Sequence, residues 1–80
     1  MRTRLQVYGM ERKSLGRAKL VAWMIDEGRK LNWLAGKAMV DRGAAGRWMR
    51  GISRPHPRTR VDLEEITRGA VKASDWEAEE

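Results

Sequence analysis

Residues that cap or stop helices recur at short intervals along this chain, and the segments between them suit only a bundle of short helices. Ser14 stands where a hydroxyl caps a helix running to about Glu27, and Gly28 ends it. A second helix is expected over Leu31 to Met39. Asp41 offers its carboxylate to exposed amides two or three residues on, capping a third helix from Arg42 to Arg50 that stops at Gly51. Ile52 to Arg58 contains Pro55 and Pro57 and reads as a turn or loop. A fourth helix is expected to begin near Arg58 and end at Gly69, and Ser74-Asp75-Trp76-Glu77 has capping-box spacing for a short final turn with a frayed acidic end. Helices this short are marginal alone in water, so each must bury a face against the others.

The apolar residues supply those faces. Leu20, Val21, Met24 and Ile25 fall on one side of the first helix, with Lys19 and Asp26 pointing away. Leu31, Leu34, Ala35 and Ala38 form a stripe on the second, and its two alanines let another helix approach closely. Leu63, Ile66 and Ala70 are expected to face inward from the fourth. Trp48 reads as core. Trp23 and Trp33 sit at the edges of their stripes, as core or as interface anchors, and Trp76 either fastens the tail or packs across a dimer. The expected fold is therefore all-α, with four or five short helices. An extension over residues 1–13 precedes the domain at 14–76, and 77–80 form an acidic tail. In the extension Leu5 and Val7 alternate with Arg4, Gln6 and Tyr8, a weak strand-like signal interrupted by Gly9.

Charge narrows the partners. Eighty residues support one domain, which buries only about 60% of its unfolded surface, so a deep enclosed active site is hard to build. The net charge is +6, unevenly placed. Residues 1–60 hold fifteen Lys and Arg against four acids, a balance of +11; residues 61–80 hold two against seven, a balance of −5. From Arg42 to Arg60 there are six arginines and no acid. Such a cluster suits a polyanion, because each neutralised phosphate releases condensed counterions; the plainer reading is a solvated surface that keeps the chain soluble. There is no cysteine, which excludes disulfides and thiolate metal sites. No run approaches the roughly 20 apolar residues of a membrane span, and no apolar segment follows the basic start at Arg2 and Arg4, so neither a membrane nor a signal peptide is expected and the location is expected to be cytoplasmic.

The third helix carries the functional argument. At about 100° per residue, Arg42, Gly43, Gly46, Arg47 and Arg50 share one arc, and Ala44, Ala45 and Trp48 lie opposite. The outer arc is only arginine and glycine, and each glycine costs an exposed helix roughly 1 kcal/mol relative to alanine. Bare backbone between arginines lets a helix lie close to another surface, and arginine forks well onto guanine O6 and N7 in a major groove.

At these residues the chain resembles a family. Leu31-Asn32-Trp33-Leu34-Ala35-Gly36-Lys37-Ala38-Met39-Val40-Asp41-Arg42-Gly43-Ala44-Ala45-Gly46-Arg47-Trp48-Met49-Arg50-Gly51 resembles the helix-turn-helix of the lambda-repressor and Cro-like superfamily. Ala35 stands at its small position, Ala45 and Trp48 at hydrophobic positions of the recognition helix, and Gly51 at the glycine that follows. The continuation through Arg54-Pro55, Ile66 to Val71 and Asp75-Trp76 is similar to short phage Cro and YdaS-like regulators, so the resemblance covers about residues 17–76. It departs at Met39, where the family has a turn glycine; a left-handed non-glycine residue costs about 1–2 kcal/mol, which points to a rebuilt or shifted turn. Ala45 is smaller than the branched residue usual there, and Trp48 compensates.

The resemblance implies a homodimer on double-stranded DNA, acting as a small transcriptional regulator of the repressor kind. It places Arg42, Gly43 and Arg47 at base-contacting positions, with Ala44 near a thymine methyl and Arg50 beside the groove wall. Lys30, Asn32, Lys37, Arg54 and Arg58 take phosphate positions; Arg58 and Arg60 face either DNA or a partner subunit. Arg2 and Arg4 are either a minor-groove arm or an unstructured start. No catalytic constellation accompanies them: His56 lies alone between prolines, and Glu64 and Glu65 diverge on their helix, so neither enzymatic activity nor a metal or other cofactor is expected. Two other readings stay open. One is an antitoxin-like or adaptor module binding protein through the tryptophans or the acidic tail; the other is a packaging or recombination accessory protein that binds DNA without sequence preference.

Overall fold

The computed structural model describes residues 13–79, and the extension before them, with Arg2, Arg4 and the alternation around Leu5 and Val7, lies outside the described residues. The described chain is all-helical: α1 (Leu15–Glu27), α2 (Leu31–Ala38), α3 (Arg42–Arg50), α4 (Pro57–Ile66) and a closing 3-10 helix (Ala73–Trp76). No helix among these residues is long and apolar enough to cross a membrane.

Capping chemistry sets the starts. The Ser14 hydroxyl accepts from the Arg17 amide at 3.1 Å, and Asp41 Oδ1 from the Ala44 amide at 3.0 Å. Pro57 opens α4 with its fixed φ, one residue before the expected start, and His56 Nδ1 accepts from the Arg58 amide at 3.1 Å. The final turn is capped two residues earlier than the expected Ser74 box: the Lys72 amide donates to Asp75 Oδ2 at 2.8 Å.

All four α-helices end with an amide beyond the helix reaching back to the carbonyl five positions earlier, two residues past the last helical residue in α1, α2 and α3 and three past it in α4. The donors are Arg29 to Met24, Val40 to Ala35, Ile52 to Arg47 and Gly69 to Glu64, at 2.8–3.0 Å. This motif needs a left-handed residue at the exit, usually glycine. Gly28 and Gly51 supply it for α1 and α3 at φ 66° and 79°. Met39 and Arg68 supply it for α2 and α4 at φ 58° and 55°. In the turn after α2, Met39 itself takes the left-handed conformation that glycine usually supplies. Because Arg68 occupies the exit of α4, that helix stops at Ile66 rather than running to Gly69, and Ala70 is exposed rather than inward.

The core is Leu20 and Met24 from α1, Leu34, Ala35 and Ala38 from α2, Ala45 and Trp48 from α3, Leu63 from α4, and Val71 and Trp76 from the C-terminal segment. Ile25, expected inward, is 76% exposed, because α1 turns that side away from the other helices. Lys19, expected to point away, pairs with the buried Asp75 at 3.1 Å. Trp76 fastens the C-terminal segment within its own chain, fully buried against the backbone of Gly16. Beyond it, the Leu15 amide donates to the Ala78 carbonyl at 2.7 Å, Ser14 bridges Glu79, and Arg60 pairs with Glu77. The acidic segment through Glu79 is thus docked on α1 and α4 instead of fraying.

Candidate functional site

The third helix is fixed from behind. Ala45 is fully buried, Trp48 is 5% exposed, and the half-buried Met49 offers its carbonyl to Arg17 Nε at 2.9 Å, tying the last turn of α3 to α1. The opposite side carries Arg42, Gly43, Arg47 and Arg50, all exposed. Among the described residues none of these three arginine side chains makes a hydrogen bond or ion pair. Asp41, the acid adjoining this face, has Oδ1 engaged in capping α3.

Gly46 departs from its expected place on the outer arc, being buried where α3 meets α2. A Cβ there would lie 3.6 Å from Leu31 Cδ2 and 3.3 Å from Arg50 Nη1. At Gly43 a Cβ would lie 3.4 Å from Arg47 Nη1. Each glycine therefore leaves room for the arginine one turn on to lie along the helix, and Gly46 also admits Leu31. Ala44 is half-buried beside the core, with part of its surface open.

A shallow depression of about 380 Å³ is lined by Leu31, Arg42, Gly43, Gly46 and Arg50, so the start of α2 and the exposed side of α3 share one surface. Lys30 and Asn32, the chain neighbours of Leu31, are both exposed, and no side chain caps the first turn of α2. Open amides at a helix start favour an anion. Arg54 lies exposed in the loop after α3, and Arg58 is exposed in the first turn of α4. Arg60 is committed internally, its Nε donating to the Pro55 carbonyl at 2.8 Å.

Lys37 belongs elsewhere. Its Nζ lies 5.9 Å from the ring centre of Trp33, and Arg29 Cζ lies 4.5 Å from the same ring. Trp23 packs beside Trp33 with centroids 5.9 Å apart and planes tilted by 32°. Both tryptophans are half-buried and rest on the core, and exposed cation–ring contacts of this kind are worth about 0.5–1 kcal/mol each. This grouping is not among the expectations drawn from the sequence. Trp33 and Lys37 stand four residues apart on α2, which brings their side chains together along the helix, whereas Arg29 reaches the ring from the turn before it.

Comparisons with family models, with curated proteins and with solved structures find no match to this chain.

Proposed function

We propose that this protein binds double-stranded DNA sequence-specifically as a small transcriptional regulator, with α3 as the recognition helix of a lambda-repressor-like helix-turn-helix. The observation that carries the reading is the outer side of α3: three arginines with no protein partner among the described residues, on a helix pinned from behind by Trp48 and Arg17. Side chains free of internal ion pairs meet phosphates or base edges without first breaking a bond. Further support comes from the shared surface of α2 and α3, where Leu31, in the uncapped first turn of α2, lines one depression with Arg42 and Arg50. The sharp turn through Met39 to Asp41 sets the angle between those helices.

In this reading Arg42, Arg47 and Arg50 enter the major groove, with Gly43 allowing close approach and Ala44 beside a thymine methyl. Lys30, Asn32, Arg54 and Arg58 hold phosphates, and Lys37 reaches a phosphate only by leaving Trp33. One such helix reads few base pairs, so the reading includes a homodimer on half-sites about 34 Å apart or a multiple of it. Asp75 and Glu77 pair with Lys19 and Arg60, and the Glu79 backbone bridges Ser14, which counts against a tail-driven protein adaptor.

Selection from random duplexes followed by footprinting at physiological salt tests the proposal. The expected result is one enriched motif bound at least about 10³-fold more tightly than random DNA. Affinity that is flat across sequences would overturn specific regulation and leave a nonspecific binder.

A further inference from the structure

A second basic site lies apart from the α3 face. The exits of α1 and α4 and the middle of α2 enclose a cleft of about 500 Å³, lined by Trp23, Glu27, Arg29, Trp33, Lys37, Ile66, Thr67 and Arg68. Its composition is specific: two neighbouring indoles with planes tilted by 32°, a partly buried Ile66, and three cations against the single carboxylate of Glu27. Arg29 and Lys37 are held by the Trp33 ring rather than by an acid. Arg68 stands at a left-handed position with φ 55°, where glycine is the unstrained residue, so its side chain borders the cleft from a strained backbone.

We propose that this cleft binds a small planar ring bearing an anionic group, the ring packing on Trp23 and Trp33 and the anion meeting Arg29, Lys37 and Arg68. Indole faces and an aliphatic wall supply flat apolar area, which a bare inorganic anion cannot use. The excess of cations supplies what an uncharged ring cannot use. Sites for small ligands combine such apolar lining with a few convergent polar groups. Nucleoside monophosphates and aromatic carboxylates share this chemistry.

The test titrates the intact protein with adenosine 5′-monophosphate and with indole-3-acetate, following the Trp23 and Trp33 indole N–H signals by NMR. Inorganic phosphate and adenosine serve as the charge-only and ring-only controls. The expected result is saturable shifts at both indoles with at least one ring-bearing anion, the controls binding at least about tenfold more weakly. Whichever probe binds identifies the source of the anion. The variant Arg68→Gly removes a cation while relieving its backbone, so it stays folded and is expected to weaken binding about tenfold. Arg47→Ala is expected to leave binding unchanged, which separates this site from the DNA reading. Inorganic phosphate binding as well as the nucleotide, unaltered affinity in Arg68→Gly, or absence of saturable shifts with both ring-bearing probes would each overturn the proposal.

Discussion

The indole of Trp76 rests on the bare backbone of Gly16, so closely that a Cβ there would fall 2.4 Å from Cδ2 and 2.8 Å from Cγ and Cε2. This contact joins the C-terminal segment to the first turn of α1. Helix propensity alone would make Gly16→Ala stabilising by up to about 1 kcal/mol. Overpacking opposes it, because a rigid, fully buried ring cannot move aside, and such insertions cost about 1–3 kcal/mol or more. Gly16→Ala is therefore expected to destabilise the fold by about 1–2 kcal/mol in urea denaturation. A variant as stable as the parent would remove Trp76 from that position.

Met39 yields the opposite sign. It is 89% exposed and left-handed, with φ 58° and ψ 44°, so its side chain contributes little while its backbone is strained. Met39→Gly removes strain of about 1–2 kcal/mol, partly offset by the greater freedom of glycine in the unfolded chain. The expected net gain is about 0.5–1 kcal/mol, read as a raised melting temperature. A lowered melting temperature would mean that this turn gains from the methionine side chain.

Much of the fold is legible in the sequence because caps and apolar stripes act locally. Ser14, Asp41, Gly28 and Gly51 mark their helix ends by chemistry that needs no tertiary context. The exits at Met39 and Arg68 were not legible in the same way, since neither residue favours the left-handed conformation each adopts. An ideal wheel sets Gly46 on the outer arc because it gives direction but not the position of α2, and Leu31 closes over that edge of the arc. The docking of Ala78 and Glu79 on the start of α1 joins residues remote in sequence, and no local pattern encodes it. At the candidate site, the exposure of Arg42, Arg47 and Arg50 follows directly from their spacing opposite Trp48.

Thr67 links the exit of α4 to the closing segment. Its buried hydroxyl donates to the Leu63 carbonyl at 2.8 Å and accepts from the Val71 amide at 3.0 Å. Thr67→Val keeps the shape but leaves the Val71 amide without its acceptor, and an unsatisfied buried donor costs about 1–3 kcal/mol. A loss in that range is expected by thermal or chemical unfolding, with faster hydrogen exchange at Val71. Unchanged exchange would show that this amide has another acceptor.

Arg47 separates stability from recognition. Its side chain has no partner among the described residues, so Arg47→Ala is expected to change unfolding free energy by less than about 0.5 kcal/mol. If the guanidinium forks onto guanine, specific binding should weaken by about 1–3 kcal/mol, with base choice relaxed at one position. If it instead holds a phosphate, specific and random duplexes should lose affinity equally, and the slope of log affinity against log salt should fall by about 0.9. Gly43→Ala complements this measurement. Its added methyl meets Arg47 Nη1 at an ordinary 3.4 Å, so the helix gains up to about 1 kcal/mol of stability. The same methyl stands on the exposed side between Arg42 and Arg47, where it would hold a groove wall or base edge away. A more stable variant with weaker specific binding is expected; equal or tighter binding would place the DNA contact away from Gly43.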